Sequence, residues 1–346
     1  MRRILYVDLF PCKAHHQLNK ILVASLRSIG STDIWTSEDY FEEPSLVLRS
    51  YPKWIGKIKS CFVRSVLYIL CLRCTARLDD YEKIIVSTFD TRAFAVAGFL
   101  FGRRQLKKMV LFHHYNIDSL IHPFDARCFA VYKNRVKHIV FESYFKQCLA
   151  ESYHVQSERI FVAPHPCLQA TGPSGSVPRQ QAVALSASNS LELVRALIAY
   201  ESETRQLVEH HYSLIIKSSY EGTTTESIKL LNGFLSREKY DDLIASSKIA
   251  VLLHPQKFKY RESGYLIDAL ANGRLVVGYE NCDIVRHYSA CYPNICFAAK
   301  DHAELIHILI ASRIDDKSTG DFNRFTEDHS IARYTAAVLS VLNAKE

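Results

Sequence analysis

Short apolar runs separated by helix-length stretches constrain this chain more than any other feature. Residues 4–7, 83–87, 109–112, 138–141 and 159–163 are such runs in the first half, and 182–185, 214–217, 228–231, 248–254 and 275–278 in the second. Strands covered by helices on both faces read as near-continuous apolar segments. Between the runs lie helical patterns. They include 91–102, 144–152, and a segment with Leu191, Val194, Leu197 and Ile198 in register. Ser236 can cap another helix carrying Tyr240, Leu243 and Ile244, and 265–271 closes on Asn272-Gly273. The tail from Asp301 reads as helical too. Such alternation predicts an α/β chain with doubly wound parallel sheets.

At 346 residues the chain has material for two domains. Residues 169–181, rich in Gly, Pro and Ser with almost nothing to bury, are the expected linker. Residues 1–168 then form a first Rossmann-like domain and 182–346 a second, with the last helix able to pack back on the first. Ligands usually sit in the cleft of such an arrangement. A hydrophobic share of 48% excludes wholesale disorder. Ten dilute cysteines repeat no disulfide framework and suit a reduced, intracellular chain. The apolar run 66–72 is too short to span a membrane, and the first eight residues lack the core of a signal peptide, so a cytoplasmic protein is expected. With only 12 glycines, a glycine-rich phosphate loop is not expected.

The net charge is +7, and it is unevenly placed. Between Lys53 and Lys108 stand 12 Lys or Arg against 4 Asp or Glu. Residues 54–78 mix Trp54, Ile55, Ile58, Phe62, Val66 and Ile69 with Lys57, Lys59, Arg64, Arg73 and Arg77. This pattern predicts an amphipathic basic helix lying on an anionic membrane surface, the inner face of the plasma membrane being the expected place. Aromatics do not interleave with the basic residues as in a nucleic-acid module, so no nucleic-acid partner is expected. Cys71-x-x-Cys74 lacks a second pair at zinc spacing and reads as structural. His15-His16 reads as a loop or surface pair.

The segment 236–280 carries the chemistry. A polar loop, 256–264, follows an apolar strand and ends at a helix start, where unpaired N–H groups and the helix dipole favour an anion. Ser263 and Gly264 let a phosphate approach the backbone. Lys257, Lys259 and Arg261 add positive charge, and Lys217 ends a neighbouring strand. Glu262 stands in the loop, and Asp268 lies about one turn into the helix. Amides and cations suit a diphosphate, and carboxylates suit sugar or ribose hydroxyls.

This segment resembles the donor-binding region of GT-B glycosyltransferases, particularly retaining family 4. The likeness rests on Asp268-Ala-Leu-Ala-Asn-Gly-Arg-Leu-Val-Val277, on Asn232-Gly-Phe-Leu-Ser236 and on residues 248–255. In the first half, Phe112-His113-His114 resembles the strand-end histidine that faces the reacting sugar. The resemblance implies a nucleotide-sugar donor, a hydroxyl acceptor on a glycan or lipid-linked precursor, and retention. It implies His113 and Glu262 as catalytic, with Lys217, Tyr260, Arg261, Ser263, Gly264 and Asp268 binding the donor. The family's two glutamates are separated by seven residues. Here Asp268 holds the second place and Tyr260 the first, so that contact falls to Glu262 or Tyr260. Ser186, Ser188 and Asn189 replace the usual Arg and Lys after the second domain's first strand. No Asp-x-Asp occurs anywhere, so neither a metal nor another cofactor is expected. Two other readings share the fold: a sugar-nucleotide epimerase, and a lipid-binding relative without catalysis.

Overall fold

The computed structural model describes residues 2–9, 15–36, 40–41, 47–167, 180–256 and 258–344. The linker expected at 169–181 lies outside them except for Gln180 and Gln181. The chain forms two compact units, 1–166 with 330–346, and 167–329.

In the first unit the strands are β1 (Arg2–Asp8), β2 (Gly30–Thr36), β3 (Val47–Ser50), β4 (Lys83–Thr88), β5 (Met109–Phe112), β6 (Lys137–Val140) and β7 (Ile160–Val162). Among the described residues they make one parallel sheet, ordered β3-β2-β1-β4-β5-β6-β7. The second unit contributes β8 (Gln181–Ala184), β9 (Ser213–Lys217), β10 (Ile228–Leu231), β11 (Ile249–Leu252), β12 (Leu275–Tyr279) and β13 (Cys296–Ala299). These are also all parallel, ordered β10-β9-β8-β11-β12-β13. Both sheets are doubly wound. The order reverses beside β1 in the first and beside β8 in the second, and ligands of such sheets bind outside the carboxyl ends of the strands at that point.

The cores follow from the sequence. Ile4, Leu5, Ile84, Ile85, Val110 and Leu111 are essentially inaccessible in the first sheet, as are Val183, Leu214, Val251 and Val276 in the second. The helix Ile331–Asn343 belongs to the first unit. Tyr334 packs 6.4 Å from Phe112, Ser25 Oγ and Thr335 Oγ1 are 2.8 Å apart, and Lys137 Nζ donates to the Ala344 carbonyl at 2.7 Å.

Two helices differ from expectation. The single basic helix over 54–78 is instead Lys53–Gly56 and Cys61–Thr75. The Ser60 hydroxyl accepts from the Val63 amide, so it starts a new helix at the point where one was expected to continue. Ser65, Tyr68, Ile69 and Leu72 are buried, and the second piece packs against the helix Thr91–Gly98. The helix expected over 91–102 stops at Gly98, and Gly102 begins another, Arg103–Lys108. Among the described residues no helix is long and apolar enough to cross a membrane.

Candidate functional site

Two loops flank the switch point of the second sheet, 185–190 after β8 and 253–263 after β11. Asn189 ties the first in place: its Nδ2 donates to the carbonyls of Ala184 at 2.8 Å and Lys217 at 3.1 Å. The Ser190 amide donates to the Leu253 carbonyl at 2.7 Å, joining the two loops. The Ser190 hydroxyl then caps the helix Leu191–Thr204.

The second loop ends at the helix Gly264–Ala271, with Ser263 as its cap. The Ser263 hydroxyl accepts from the Leu266 amide at 3.4 Å and lies 3.1 Å from His254 Nε2. His254 stacks on Phe258, centroids 4.1 Å apart and planes 6° from parallel, and the Arg261 guanidinium lies 5.3 Å from the centre of the Phe258 ring. Burial pushes the His254 pKa down to about 4. The Ser188 backbone opposes this and the charge of Arg261 adds to it. His254 is therefore a neutral positioning group that fixes the cap. Glu262 turns its carboxylate onto the helix start, where Oε1 accepts from the Ser263 amide at 3.1 Å. A Cβ built on Gly264 meets no heavy atom within 4 Å, so the backbone there is open to close approach.

The structure thus brings Arg261, Glu262, Ser263 and Gly264 together around one helix start. Asp268 is placed otherwise. Its carboxylate accepts from the Tyr240 hydroxyl at 3.1 Å and lies 3.6 Å from Arg237, both on the helix Arg237–Ser246. Burial raises the Asp268 pKa, against Arg237 and Tyr240, which lower it. Lys217 ends β9, two strand spacings or about 10 Å from the end of β11, and makes no ion pair among the described residues. Tyr260 is half-buried in the loop, and Lys257 lies outside the described residues. His254 and Phe258 were not singled out from sequence, and Asn189 only as a replacement for the usual basic residues. A histidine at a strand end before Pro255 and an Asn-Ser pair before a helix were the available signals.

In the first unit His113 and His114 part company at the end of β5. His113 is 1% exposed and enclosed by Phe89, Phe129 and His138. His138 Nε2–H donates to the Lys133 carbonyl at 2.7 Å, which leaves its Nδ1 as an acceptor for His113 Nε2–H at 2.9 Å. Burial, reinforced by His138, holds the His113 pKa well below its usual value. His113 therefore faces the core and not the strand-end surface. His114 points the other way and stacks on His15, centroids 4.2 Å apart. Burial, then His15, His165 and His113, depress its pKa. His16 stacks on Tyr40 at 4.0 Å, so both residues of the expected loop pair belong to the packed carboxyl edge. Beneath them Asp8, fully buried, accepts from Tyr40 at 2.7 Å, Asn19 at 3.2 Å and Thr88.

No protein-family model matches the chain, and no curated protein sequence does. Solved structures do. The Anabaena protein Alr3699/HepE, in complex with UDP and glucose, superposes with a TM-score of 0.70 at 13% identity over 100% of both chains. WaaG, a glycosyltransferase involved in lipopolysaccharide biosynthesis, gives 0.63 at 11% identity over 98% of each chain. A UDP-forming α,α-trehalose-phosphate synthase from Burkholderia xenovorans gives 0.65 at 12% over 99% of each. With its two doubly wound parallel sheets, this chain has the GT-B fold of those glycosyltransferases.

Proposed function

We propose that the chain is a glycosyltransferase that moves a sugar from a nucleoside-diphosphate sugar to a hydroxyl acceptor, with retention. The observation that carries this reading is the helix start capped by Ser263 and open at Gly264, placed at the switch point of the second sheet with Arg261 beside it. As the bond to the anomeric carbon breaks, negative charge collects on the leaving diphosphate. Fixed amide N–H groups and nearby cations stabilise that charge without reorganising. Glu262 and Asp268 are assigned to donor hydroxyls, and Lys217 to phosphate. On the first unit His114 is assigned in place of His113 as the imidazole nearest the acceptor hydroxyl, because it packs with His15 at the carboxyl edge of the sheet, whereas His113 turns into the core. HepE was solved with UDP-glucose, which supports a uridine donor. The absence of any Asp-x-Asp supports turnover without a metal.

A thermal-shift screen of UDP-, GDP- and ADP-sugars tests the donor reading. A ligand at 100 times its Kd stabilises the folded chain by about 2.7 kcal/mol. Failure of all three to raise the melting temperature removes the reading. In acceptor-dependent assays run in chelator, Glu262→Ala and Asp268→Ala are each expected to lower kcat/KM for the donor by about tenfold or more. Wild-type kinetics in both folded variants would remove them from the site.

The acceptor is proposed to be a lipid-linked or polysaccharide precursor at the inner face of the plasma membrane, as WaaG's role in lipopolysaccharide synthesis suggests. Trp54, Phe62 and Val63 are exposed near Lys57 and Lys59 in sequence, and Phe99 near Arg103 and Arg104, giving apolar anchors beside positive charge. Each basic residue near anionic lipid contributes about 1 kcal/mol. Vesicles containing anionic lipid should co-sediment the protein, and rising salt should release it. Replacing Lys57, Lys59, Arg64, Arg103 and Arg104 with Gln should abolish binding. A wild type that stays in the supernatant at low salt makes a soluble acceptor the better reading.

A further inference from the structure

Away from the strand ends discussed above, the first unit has a hollow of about 410 Å³ lined by Phe101, Arg103, Leu106, Lys107, Asn134, Arg135 and Arg159. Its place follows from topology. Arg103 and Lys107 precede β5, Asn134 and Arg135 precede β6, and Arg159 precedes β7. Those three strands are parallel neighbours. The hollow therefore sits at the amino edge of the sheet, one strand length of roughly 13 Å from the edge that carries His114.

Its chemistry is one-sided. Four of the seven lining residues are cations and none is an acid. None of the four makes an ion pair among the described residues. Phe101 and Leu106 are buried and make an apolar wall. The polar rim is held in advance of any ligand: Arg159 Nε donates to Gln156 Oε1 at 2.6 Å, and the Gln156 amide donates to Asn134 Oδ1 at 3.1 Å. Like charges gathered around one concavity repel each other and focus positive potential into it. A multiply charged anion relieves that repulsion, and fixed guanidinium groups suit phosphate oxygens through paired N–H donors.

We propose that this hollow is a second anion site, separate from the donor site, that takes a ligand carrying a multiply charged phosphate group. The ligand is either a soluble phosphorylated compound or a phospholipid headgroup, and the chemistry of recognition is the same for both. The assignment does not depend on the glycosyltransferase reading, since no residue of the hollow belongs to that site.

Calorimetric titration of the full chain with inorganic triphosphate tests it, alongside co-sedimentation with phosphatidylcholine vesicles with and without phosphatidic acid. The double variant Arg135→Gln, Arg159→Gln is expected to weaken triphosphate binding about tenfold or more, equivalent to about 1.4 kcal/mol. Lys229→Gln with Lys300→Gln removes the same charge from the second unit and should leave binding within twofold. Stabilisation by UDP, which reads the donor site, should be the same in all forms, so failure here is distinguishable from failure of the donor reading. Loss of both triphosphate and vesicle binding in the Arg variant identifies a lipid headgroup. Loss of triphosphate binding alone identifies a soluble ligand. The proposal is overturned if the wild type takes up neither probe, or if the Arg variant and the Lys control behave alike.

Discussion

Gly264→Val is expected to lower kcat/KM for the nucleotide-sugar donor by about 100-fold or more while the melting temperature stays within about 2 °C. The two halves of this expectation come from one observation. A Cβ at Gly264 meets no neighbouring side chain or loop atom within 4 Å, so a side chain can start there without displacing its surroundings. Gly264 is the first residue inside the helix, and removing a glycine from a helix favours it slightly. On the proposed donor reading, a diphosphate would lie in the same space to reach the amides of the first turn, and an isopropyl group would obstruct it. A loss of 100-fold corresponds to about 2.7 kcal/mol of transition-state stabilisation, within the range of one lost backbone donor to a developing anion. Gly264→Ala should fall between the two. Donor kinetics unchanged in the Val variant would move the diphosphate elsewhere. A fall in stability matching the fall in activity would show that the space was not free.

Asp8→Ala should destabilise the first unit by about 3 kcal/mol, because it orphans buried donors on three other elements. Tyr40, Asn19 and Thr88 all donate to this carboxylate, and Asn19 in turn accepts from Ser87 at 2.7 Å. For a unit of this size the melting temperature should fall by about 6–12 °C. Thr88→Val deletes a single donor at nearly constant shape and should cost only about 1 kcal/mol. Calorimetry can check both. An Asp8→Ala variant within about 1 kcal/mol of wild type would mean that water or a rearranged partner replaces the carboxylate.

The parallel strands were legible because a strand covered on both faces has little room for polar side chains. β4, β5, β11 and β12 stand out for that reason. β2 does not. Its sequence, Gly-Ser-Thr-Asp-Ile-Trp-Thr, carries a buried aspartate, and only tertiary structure supplies the partners: Arg3 at 3.0 Å and the Tyr81 hydroxyl at 2.6 Å. The break between Lys53–Gly56 and Cys61–Thr75 was hidden because Ser60 has a helix-capping side chain inside an otherwise amphipathic pattern.

At the site, the helix start was legible from a local signal, Ser-Gly before an apolar run. Side-chain direction was not. Successive residues of a strand face opposite sides, so one position decides between His113 and His114. The deciding interaction is with His138, 25 residues away. For the same reason the spacing of Asp268 from Glu262 gave no warning of Arg237 and Tyr240, which come from a separate helix.

The return of the last helix to the first unit affects the order in which the protein can be made. The second unit is one unbroken stretch, 167–329, inserted into a first unit built from the segments on either side of it, with Arg2 hydrogen-bonded to Asn343. Domains generally complete themselves in the order in which they leave the ribosome. Here that order is inverted. The unit begun first lacks Tyr334, Val338 and Val341, buried parts of its core, until the whole second unit has been made. A nascent or truncated chain ending near residue 329 would carry a finished second unit and an open first one. Truncation there would therefore harm the unit that was begun first and spare the one nearest the cut.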